Sequence, residues 1–193
     1  MNLKFLGDAL DHWKGSIFES LQRGGVLRHF AVDPMASDLA QWTDEDFALY
    51  ARLLHIDPKQ ILAHSQSLVD RKAYFREIWH TGDLFLDPDT GVSTGSRLKK
   101  QHVAPQEIAT LLEADRLVIV YQHVRGCQVE DRVDEVCNAI QEHAHEAQWC
   151  SYNSATVAMI FLSRSRGRVK SVRRHFRELL GRHAKGRIRA LWT

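Results

Sequence analysis

The chain has 193 residues, of which 44% are hydrophobic and 26% charged, and its net charge is +2. These values are typical of one soluble globular domain, so residues 1–193 are expected to form a single unit with a buried core. The N-terminus has no apolar core of signal-peptide length, and no run approaches the roughly 18 apolar residues that a membrane span needs. We expect a cytoplasmic protein outside the membrane. The three cysteines lack CxxC spacing, which indicates neither a disulfide framework nor a cysteine zinc site.

The first half of the chain is predicted to contain mainly helices. Residues 8–22 carry apolar side chains at helical spacing, with Asp8 available to cap the start. Residues 26–33 are predicted to form a strand that stops at Asp33, before a proline. Two more helices are predicted over residues 36–56 and 57–79.

The second half alternates strands with helices. The apolar stretch 84–86 is a short strand, and a loop runs from it to about residue 101. The further predicted elements are helices over 104–114 and 130–146, strands over 115–123 and 156–163, and a basic helix or helix pair over 168–192. Residues 148–153 are an additional segment that could instead pair with the next strand as an antiparallel edge hairpin.

This order of elements predicts the fold class. Strands separated by helices of ten or more residues favour a mainly parallel sheet with helices on both faces. We therefore predict an α/β three-layer sandwich of Rossmann-like type. The chain contains no G-x-x-x-x-G-K-[ST], no G-x-G-x-x-G after a strand, no G-x-S-x-G and no H-E-x-x-H. A nucleoside triphosphatase, a dinucleotide dehydrogenase and a serine hydrolase are therefore disfavoured.

Polar side chains follow the predicted strands at their carboxyl ends. Asp33 ends the first strand, Asp87 and Asp89 follow the second, and His123 ends the strand over 115–123. Open parallel sheets bind their ligands in the crevice outside these ends, so we predict that the four residues are catalytic. The competing interpretation is turn chemistry, because Asp, Pro, Thr and Gly are the residues that turns prefer.

Two kinds of chemistry suit these side chains. Asp87 and Asp89 could hold Mg²⁺ with the help of several waters, or one of them could act as a general base without any cofactor. His123 is the side chain type that titrates near neutral pH. The predicted cofactor is therefore either none or Mg²⁺.

Other polar residues are candidates for substrate binding near the same edge. Those placed in loops are Lys99, Lys100 and Arg125, whose charges suit a phosphate. Those on the first helix are Asp8, Asp11 and Lys14, at steps of three residues. The helical set is either a surface ion-pair ladder or a group that lies over the carboxyl end of the sheet.

The charge of the chain is strongly asymmetric. Residues 164–193 contain 11 Lys or Arg and a single acid, whereas residues 1–163 contain 15 basic and 23 acidic residues. Such a basic segment indicates contact with a polyanion, and nucleic acid, DNA more than RNA, is the predicted partner. Arg173, Arg174 and Arg177 are its candidate phosphate contacts. The alternative is a solvated amphipathic helix.

The motifs GDALDHWKG, VDPMASD, DLFLDPDTGV, KKQHV and VIVYQHVRG resemble those of a set of uncharacterised bacterial proteins with GD-D-K, D-P-D-[TN]-G and Y-Q-H motifs. More remotely, a lysine-bearing helix, a strand ending in Asp33, the FLDPD strand and a C-terminal hairpin are similar in order to Rossmann-like methyltransferases of the three-Cys-motif partner type. That resemblance implies an α/β fold with the methyl acceptor beside the D-P-D segment. A Gly-rich turn for S-adenosylmethionine is missing after VDPMASD.

Three functions remain open. The leading hypothesis is a hydrolase acting on nucleic acid, either a nuclease or a base-removing N-glycosylase, in genome defence or repair. The second is an atypical S-adenosylmethionine-dependent nucleic-acid methyltransferase. The third is a non-catalytic nucleic-acid-binding module in which the carboxylates only form turns.

Overall fold

A six-stranded sheet forms the centre of the protein in the computed structural model, which describes residues 1–37, 39–62, 70–76, 78, 80–95, 98–112, 115–124 and 126–191. The strands are β1 (Ala31–Asp33), β2 (Leu84–Leu86), β3 (Gly91–Val92), β4 (His102–Val103), β5 (Val118–His123), β6 (Gln148–Asn153), β7 (Val157–Ser163) and β8 (Ile188–Ala190). The central sheet has the order β1-β2-β5-β7-β6-β8. Its first three strands are parallel, and the pairs beyond β5 are antiparallel.

Helices cover both faces of this sheet, which confirms the α/β three-layer architecture. They are α1 (Ala9–Arg23), α2 (Asp44–Leu53), α3 (Arg71–Arg76), α4 (Pro105–Leu111), α5 (Val129–His143) and α6 (Arg166–Leu180). Helices α1, α2 and α6 pack on one face, and α3, α4 and α5 pack on the other. Within the described residues, no helix is both long enough and apolar enough to cross a membrane.

Alternation along the strands supplies a separate core to each face. Phe85 and Ile119 belong to the core under α1, α2 and α6, whereas Leu86 and Val120 belong to the core under the other helices. All four side chains are fully buried. Strands covered on both faces are continuously apolar for this reason, as the sequence between residues 117 and 120 predicts.

Several predicted elements are shorter than expected. The strand predicted over residues 26–33 contains only β1, because the Arg28 backbone bonds Asp83: its N–H donates to the carboxylate at 2.7 Å and its C=O accepts from Asp83 N at 2.9 Å. His29 then takes a positive φ of 44°.

The helices predicted over 36–56 and 57–79 are also wrong in extent. The first is α2 alone, preceded by a 3-10 turn at Leu39–Gln41, since Thr43 and Asp46 form a capping box that begins the helix. The second contains a 3-10 turn at Pro58–Gln60 and the short α3. Residues 63–69, 77 and 79 of that range lie outside the described part.

The C-terminal segment differs most from the prediction. Helix α6 ends at Gly181, which has a φ of +54° and turns the chain out of the helix. After a 3-10 turn at Gly181–Ala184, the chain forms β8 and pairs with β6. The β6–β7 hairpin is antiparallel as the sequence allows, but β8 occupies the edge that we expected the hairpin to form.

Candidate active site

A cleft of about 390 Å³ opens beyond the carboxyl ends of β2 and β5. Its walls come from the N-terminal residues, the start of α1, the turn after β2 and the end of β5. The titratable side chains that line it are Asp8, Asp11, Lys14, Asp87, Asp89, Tyr121 and His123. We call it the acid cleft. Three of the four predicted catalytic residues line it, together with all three candidates from the first helix.

Lys14 lies between two carboxylates in the acid cleft. Its Nζ is 3.0 Å from Asp11 Oδ1 and 2.8 Å from Asp87 Oδ2, and all three residues are buried. Burial by itself lowers the pKa of the Lys14 ammonium, but Asp87 and Asp11 outweigh burial and raise that pKa above its usual value. Burial raises the pKa of the Asp11 carboxyl, and Lys14 opposes this shift. Lys14 is therefore a fixed cation rather than a nucleophile.

Close packing of α1 on α2 makes this arrangement possible. A Cβ at Gly15 would stand 2.0 Å from the backbone oxygen of Leu53, so only glycine permits the approach. On α2, Tyr50 then donates a hydrogen bond of 2.5 Å from its hydroxyl to Asp87 Oδ2. Burial and the Asp87 charge raise the pKa of Tyr50 well above its usual value, which keeps the hydroxyl protonated. Asp87 is thus held by two donors.

Asp89 is the more accessible carboxylate of the D-P-D segment. Its Oδ1 is 3.1 Å from the Met1 ammonium, which also donates to the backbone oxygens of Pro34, Met35 and Asp87. Burial lowers the pKa of the Met1 amine, and Asp87 and Asp89 oppose that shift. Asp89 Oδ1 is buried, so the second oxygen of this half-buried carboxylate is the acidic atom of the segment that is best placed to meet a ligand.

The turn behind Asp89 is held by a buried glutamine. Gln122 Oε1 accepts a hydrogen bond of 2.8 Å from Val92 N. A Cβ at Gly91, where φ is +100°, would lie 2.5 Å from that oxygen, so the turn requires glycine. Gln122 is a structural residue of the strand end, and Thr90 and Gln101 complete the nearby wall.

Tyr121 and His123 project from the same face of β5 because they are two residues apart. The Tyr121 ring lies 4.6 Å from Lys14 Nζ, and its hydroxyl is 3.1 Å from His123 Nε2. His123 is half-buried and lines the acid cleft. The imidazole is consequently linked through one tyrosine to the buried lysine.

The prediction that Asp33 acts with these residues is not supported by its position. Asp33 is fully buried, and its Oδ1 accepts hydrogen bonds from Tyr74 Oη at 2.5 Å and from Met35 N at 2.8 Å. In the parallel register Asp33 pairs with Leu86, so its side chain faces the opposite side of the sheet from Asp87. Asp33 therefore closes the end of β1 rather than lining the acid cleft.

Two of the three loop candidates do not line the acid cleft. Lys99 and Lys100 are exposed, and Lys100 Nζ donates to the backbone oxygen of Ser37 at 3.0 Å. Gln101, the next residue, is the part of this loop that reaches the cleft wall. Arg125 lies outside the described residues.

The acidic oxygens do not fit a divalent cation. Asp87 Oδ2 already accepts from Lys14 and Tyr50, and Asp89 Oδ1 faces the Met1 ammonium. In the ranges that the structure describes, no three His, Cys, Asp or Glu side chains form a group that could hold a metal ion. A Mg²⁺ ion usually binds through one or two carboxylates and several waters in octahedral geometry, and the pairing of these two oxygens with cations and a hydroxyl donor does not suit that role.

The arginines of the basic segment have different environments. Arg168 is buried: it forms an ion pair with Asp83 and donates to the backbone oxygen of Val26 at 2.9 Å. Arg173 is half-buried, and burial lowers the pKa of its guanidinium. Arg174 and Arg177 are exposed on α6. None of these four lines the acid cleft as the described residues define it.

Sequence reasoning missed Tyr50, Tyr121 and the Met1 amine. Tyr121 could have been found, because it lies two residues before His123 and must share its strand face. Tyr50 gave no such signal: its position depends on the contact between α1 and α2, which no local pattern predicts.

Comparisons of the chain with protein families, with curated proteins and with solved structures find no match.

Proposed function

We propose that the protein removes a base from a nucleic acid by hydrolysing the bond between the base and its sugar in the acid cleft. The observation that carries this proposal is the convergence of Asp89, Asp87 and His123 with a buried cation at the carboxyl edge of the sheet. A cleft of about 390 Å³ is within the range of small-molecule sites and suits one nucleotide turned out of its strand.

The roles follow from the position of the two side chains in the cleft and from the chemistry of a carboxylate and an imidazole. Asp89 faces the cleft, where it receives the proton of an attacking water and stabilises the positive charge that develops on the sugar. His123 donates a proton to the leaving nitrogen of the base. The bond between C1′ and nitrogen breaks as the bond between C1′ and the water oxygen forms. Atoms and charge then balance without a further reactant.

The remaining groups position these two. Lys14 and Tyr50 hold Asp87, which in turn keeps the D-P-D segment in place. Tyr121 contacts both the lysine and His123 Nε2, so it orients the imidazole. Lys14, Asp87 and Tyr50 are buried, and preorganised groups of this kind cost no reorganisation during the reaction.

Base removal fits these groups better than cleavage of a phosphodiester by a bound metal. The two carboxylates that a nuclease would use are engaged by Lys14, Tyr50 and the Met1 ammonium, as described above. Water activation by a carboxylate requires only one accessible oxygen. A chelator therefore serves as the first discriminating reagent.

The test is an assay for abasic sites. Single- and double-stranded DNA and RNA oligonucleotides are incubated with the protein in EDTA and in Mg²⁺, and alkali-labile sites are counted against direct strand breaks. We expect alkali-labile sites in EDTA, with loss of at least about 100-fold in rate for Asp89→Asn and His123→Asn, as is usual for general acid–base groups.

Matched controls are Asp131→Asn and His145→Asn, which make the same chemical changes at exposed positions away from the acid cleft. They should retain the wild-type rate. Direct strand breaks that require Mg²⁺ would contradict base removal and favour the nuclease. Equal product from wild type and Asp89→Asn would remove that carboxylate from the reaction.

A second candidate, the methyltransferase, is favoured by one observation. The Lys14 helix, the β1 strand ending at Asp33, the D-P-D strand β2 and the β6–β7 hairpin all form. The turn after β1 does not fit S-adenosylmethionine, because the Asp33 carboxylate and the Met1 ammonium already bond its backbone. Calorimetry with S-adenosylmethionine distinguishes the two candidate functions. Micromolar binding would support methyl transfer and contradict base removal.

A further inference from the structure

A second cavity of about 660 Å³ lies beside α1. Its described lining includes Trp13, Tyr152, Asn153, Arg182, His183, Lys185 and Arg187. Trp13 immediately precedes Lys14 on α1, so the two cavities share that turn of the helix. We call the second cavity the basic pocket.

The charged residues that line the basic pocket are all of one sign. Arg182, Lys185 and Arg187 are exposed and come from the short segment between α6 and β8. The lining given by the described residues contains no acid. Three clustered cations without a carboxylate attract an anion, and guanidinium groups bind phosphate oxygens in a fixed fork.

Aromatic rings form another wall of the pocket. Trp13 is half-buried and stacks on Tyr152 with ring centroids 5.9 Å apart and an interplanar angle of 24°. Tyr152 stacks in turn on Phe176 of α6, with centroids 4.8 Å apart. Such a supported aromatic platform suits a nucleobase, since every base has a flat face that can stack.

A buried acceptor without a donor points to the same ligand. Asn153 is 3% exposed, and its Oδ1 accepts no hydrogen bond from any residue that the structure describes. A buried acceptor left in this way costs free energy, so native proteins seldom leave one without a purpose. An amino group of a base or a hydroxyl of a sugar would satisfy it.

We propose that the basic pocket binds one nucleotide unit: its phosphate at Arg182, Lys185 and Arg187, its base on Trp13, and a donor of the base or sugar at Asn153 Oδ1. The proposal rests on the proposed function only for its link to catalysis, in that a strand held here would place a neighbouring nucleotide in the acid cleft. Binding itself needs no reaction in that cleft.

The test measures binding directly. Fluorescence anisotropy with a labelled single-stranded DNA and calorimetry with adenosine 5′-monophosphate and with inorganic phosphate are performed on the full chain. A strand that binds far better than the monophosphate identifies nucleic acid as the source of the nucleotide, and comparable binding identifies a free nucleotide. Inorganic phosphate that binds as well as both would overturn the proposal.

The first variant removes the cations that would bind phosphate. Arg182→Gln/Lys185→Gln/Arg187→Gln should reduce the salt dependence of strand binding by roughly 0.7 in slope for each phosphate that is no longer neutralised. The charge-matched control Arg52→Gln/Lys59→Gln/Arg164→Gln changes two arginines and one lysine that are exposed and outside the pocket. An equal effect of the two triple variants would show that net charge, not the pocket, binds the strand.

The second set of variants tests the base and its donor. Trp13→Leu should weaken binding roughly 5- to 150-fold, as loss of one stacked base does, and Trp13→Phe should recover most of it. Asn153→Ala should weaken binding about 2- to 12-fold without lowering the melting temperature, because it removes an unsatisfied acceptor. A lower melting temperature with unchanged affinity would make Asn153 purely structural and would overturn its assigned contact.

Two failures can be told apart. Asp89→Asn should bind the strand normally and lose product, because it lies in the acid cleft. Strand binding with no product from wild-type protein would reject the proposed function and leave the basic pocket intact. Product formation with normal binding by the triple pocket variant would reject the pocket alone.

Discussion

The acid cleft and the basic pocket share one helix but use charge in opposite ways. In the acid cleft, Asp11, Lys14 and Asp87 are removed from water and paired at 3.0 Å or less. In the basic pocket, Arg182 and Lys185 remain in water. Buried pairs are preorganised and weakly screened by salt, whereas exposed cations are screened and exchange partners. The acid cleft is therefore suited to catalysis, and the basic pocket is suited to binding.

The largest effect that we expect comes from breaking the buried ion pairs. Lys14→Met leaves Asp11 and Asp87 without their cation and should lower the free energy of unfolding by about 3–5 kcal/mol, as removal of one partner of a buried pair does. Urea denaturation followed by circular dichroism measures this change. The triple variant Asp11→Asn/Lys14→Met/Asp87→Asn removes all three charges and should recover part of the loss. If Lys14→Met were as stable as wild type, that result would contradict the burial of these charges.

The next effect concerns the hydroxyl that supports Asp87. Tyr50→Phe removes a hydrogen bond to a charged acceptor and should cost about 1.5–3 kcal/mol of unfolding free energy. Tyr152→Phe is the matched control, because Tyr152 packs in an aromatic stack with Trp13 and Phe176. Equal melting temperatures for the two variants would show that the Tyr50 hydroxyl contributes no more to stability than the Tyr152 hydroxyl does.

A smaller effect should appear as pH dependence. Burial raises the pKa of Asp11 above 3.8 in the folded state, so the folded protein holds that proton more tightly than the unfolded chain. The stability from Asp11 is therefore fully present below pH 3.8 and lost as pH rises through the higher folded pKa. Relative to Asp11→Asn, wild type should gain unfolding free energy as pH falls from neutral. A difference that stays constant with pH would contradict the raised pKa.

The smallest effect on stability should occur in the basic pocket. Neutralising Arg182, Lys185 and Arg187 removes exposed charges of one sign, so the free energy of unfolding should stay within about 0.5 kcal/mol of wild type for each change. Thermal denaturation at low and high salt checks this. A loss comparable to that of Lys14→Met would erase the distinction between the two regions.

Much of the fold follows from local sequence. The continuous apolar run before His123 predicts a strand covered on both faces, and that strand is β5 in the middle of the sheet. The segment after α6 was not predictable, because Ile188 and Ala190 form a strand only by pairing with β6. Short edge strands have weak patterns of their own, and the partner decides whether they form.

The candidate site was predictable to a similar extent. The two aspartates that follow β2 and the histidine that ends β5 do reach one cleft, as the rule for strand ends in parallel sheets implies. Asp33 follows the same rule and still lies elsewhere, because one residue of register reverses the face of a side chain. The rule predicts the edge of the sheet at which a strand-end residue lies, but it does not predict which face of the sheet the side chain is on.

The sequence by itself determined the class of fold, the carboxylates of D-P-D and the spacing that aligns Asp11 with Lys14, because these depend on periodicities of two and of about 3.6 residues. Only the tertiary structure decided that the Lys14 stripe is buried. That outcome requires Gly15 to touch the end of α2 and Tyr50 to reach Asp87, contacts between residues far apart in the chain. The local sequence pattern determines which side chains share one face of a helix or strand. Long-range packing determines which residues that face contacts.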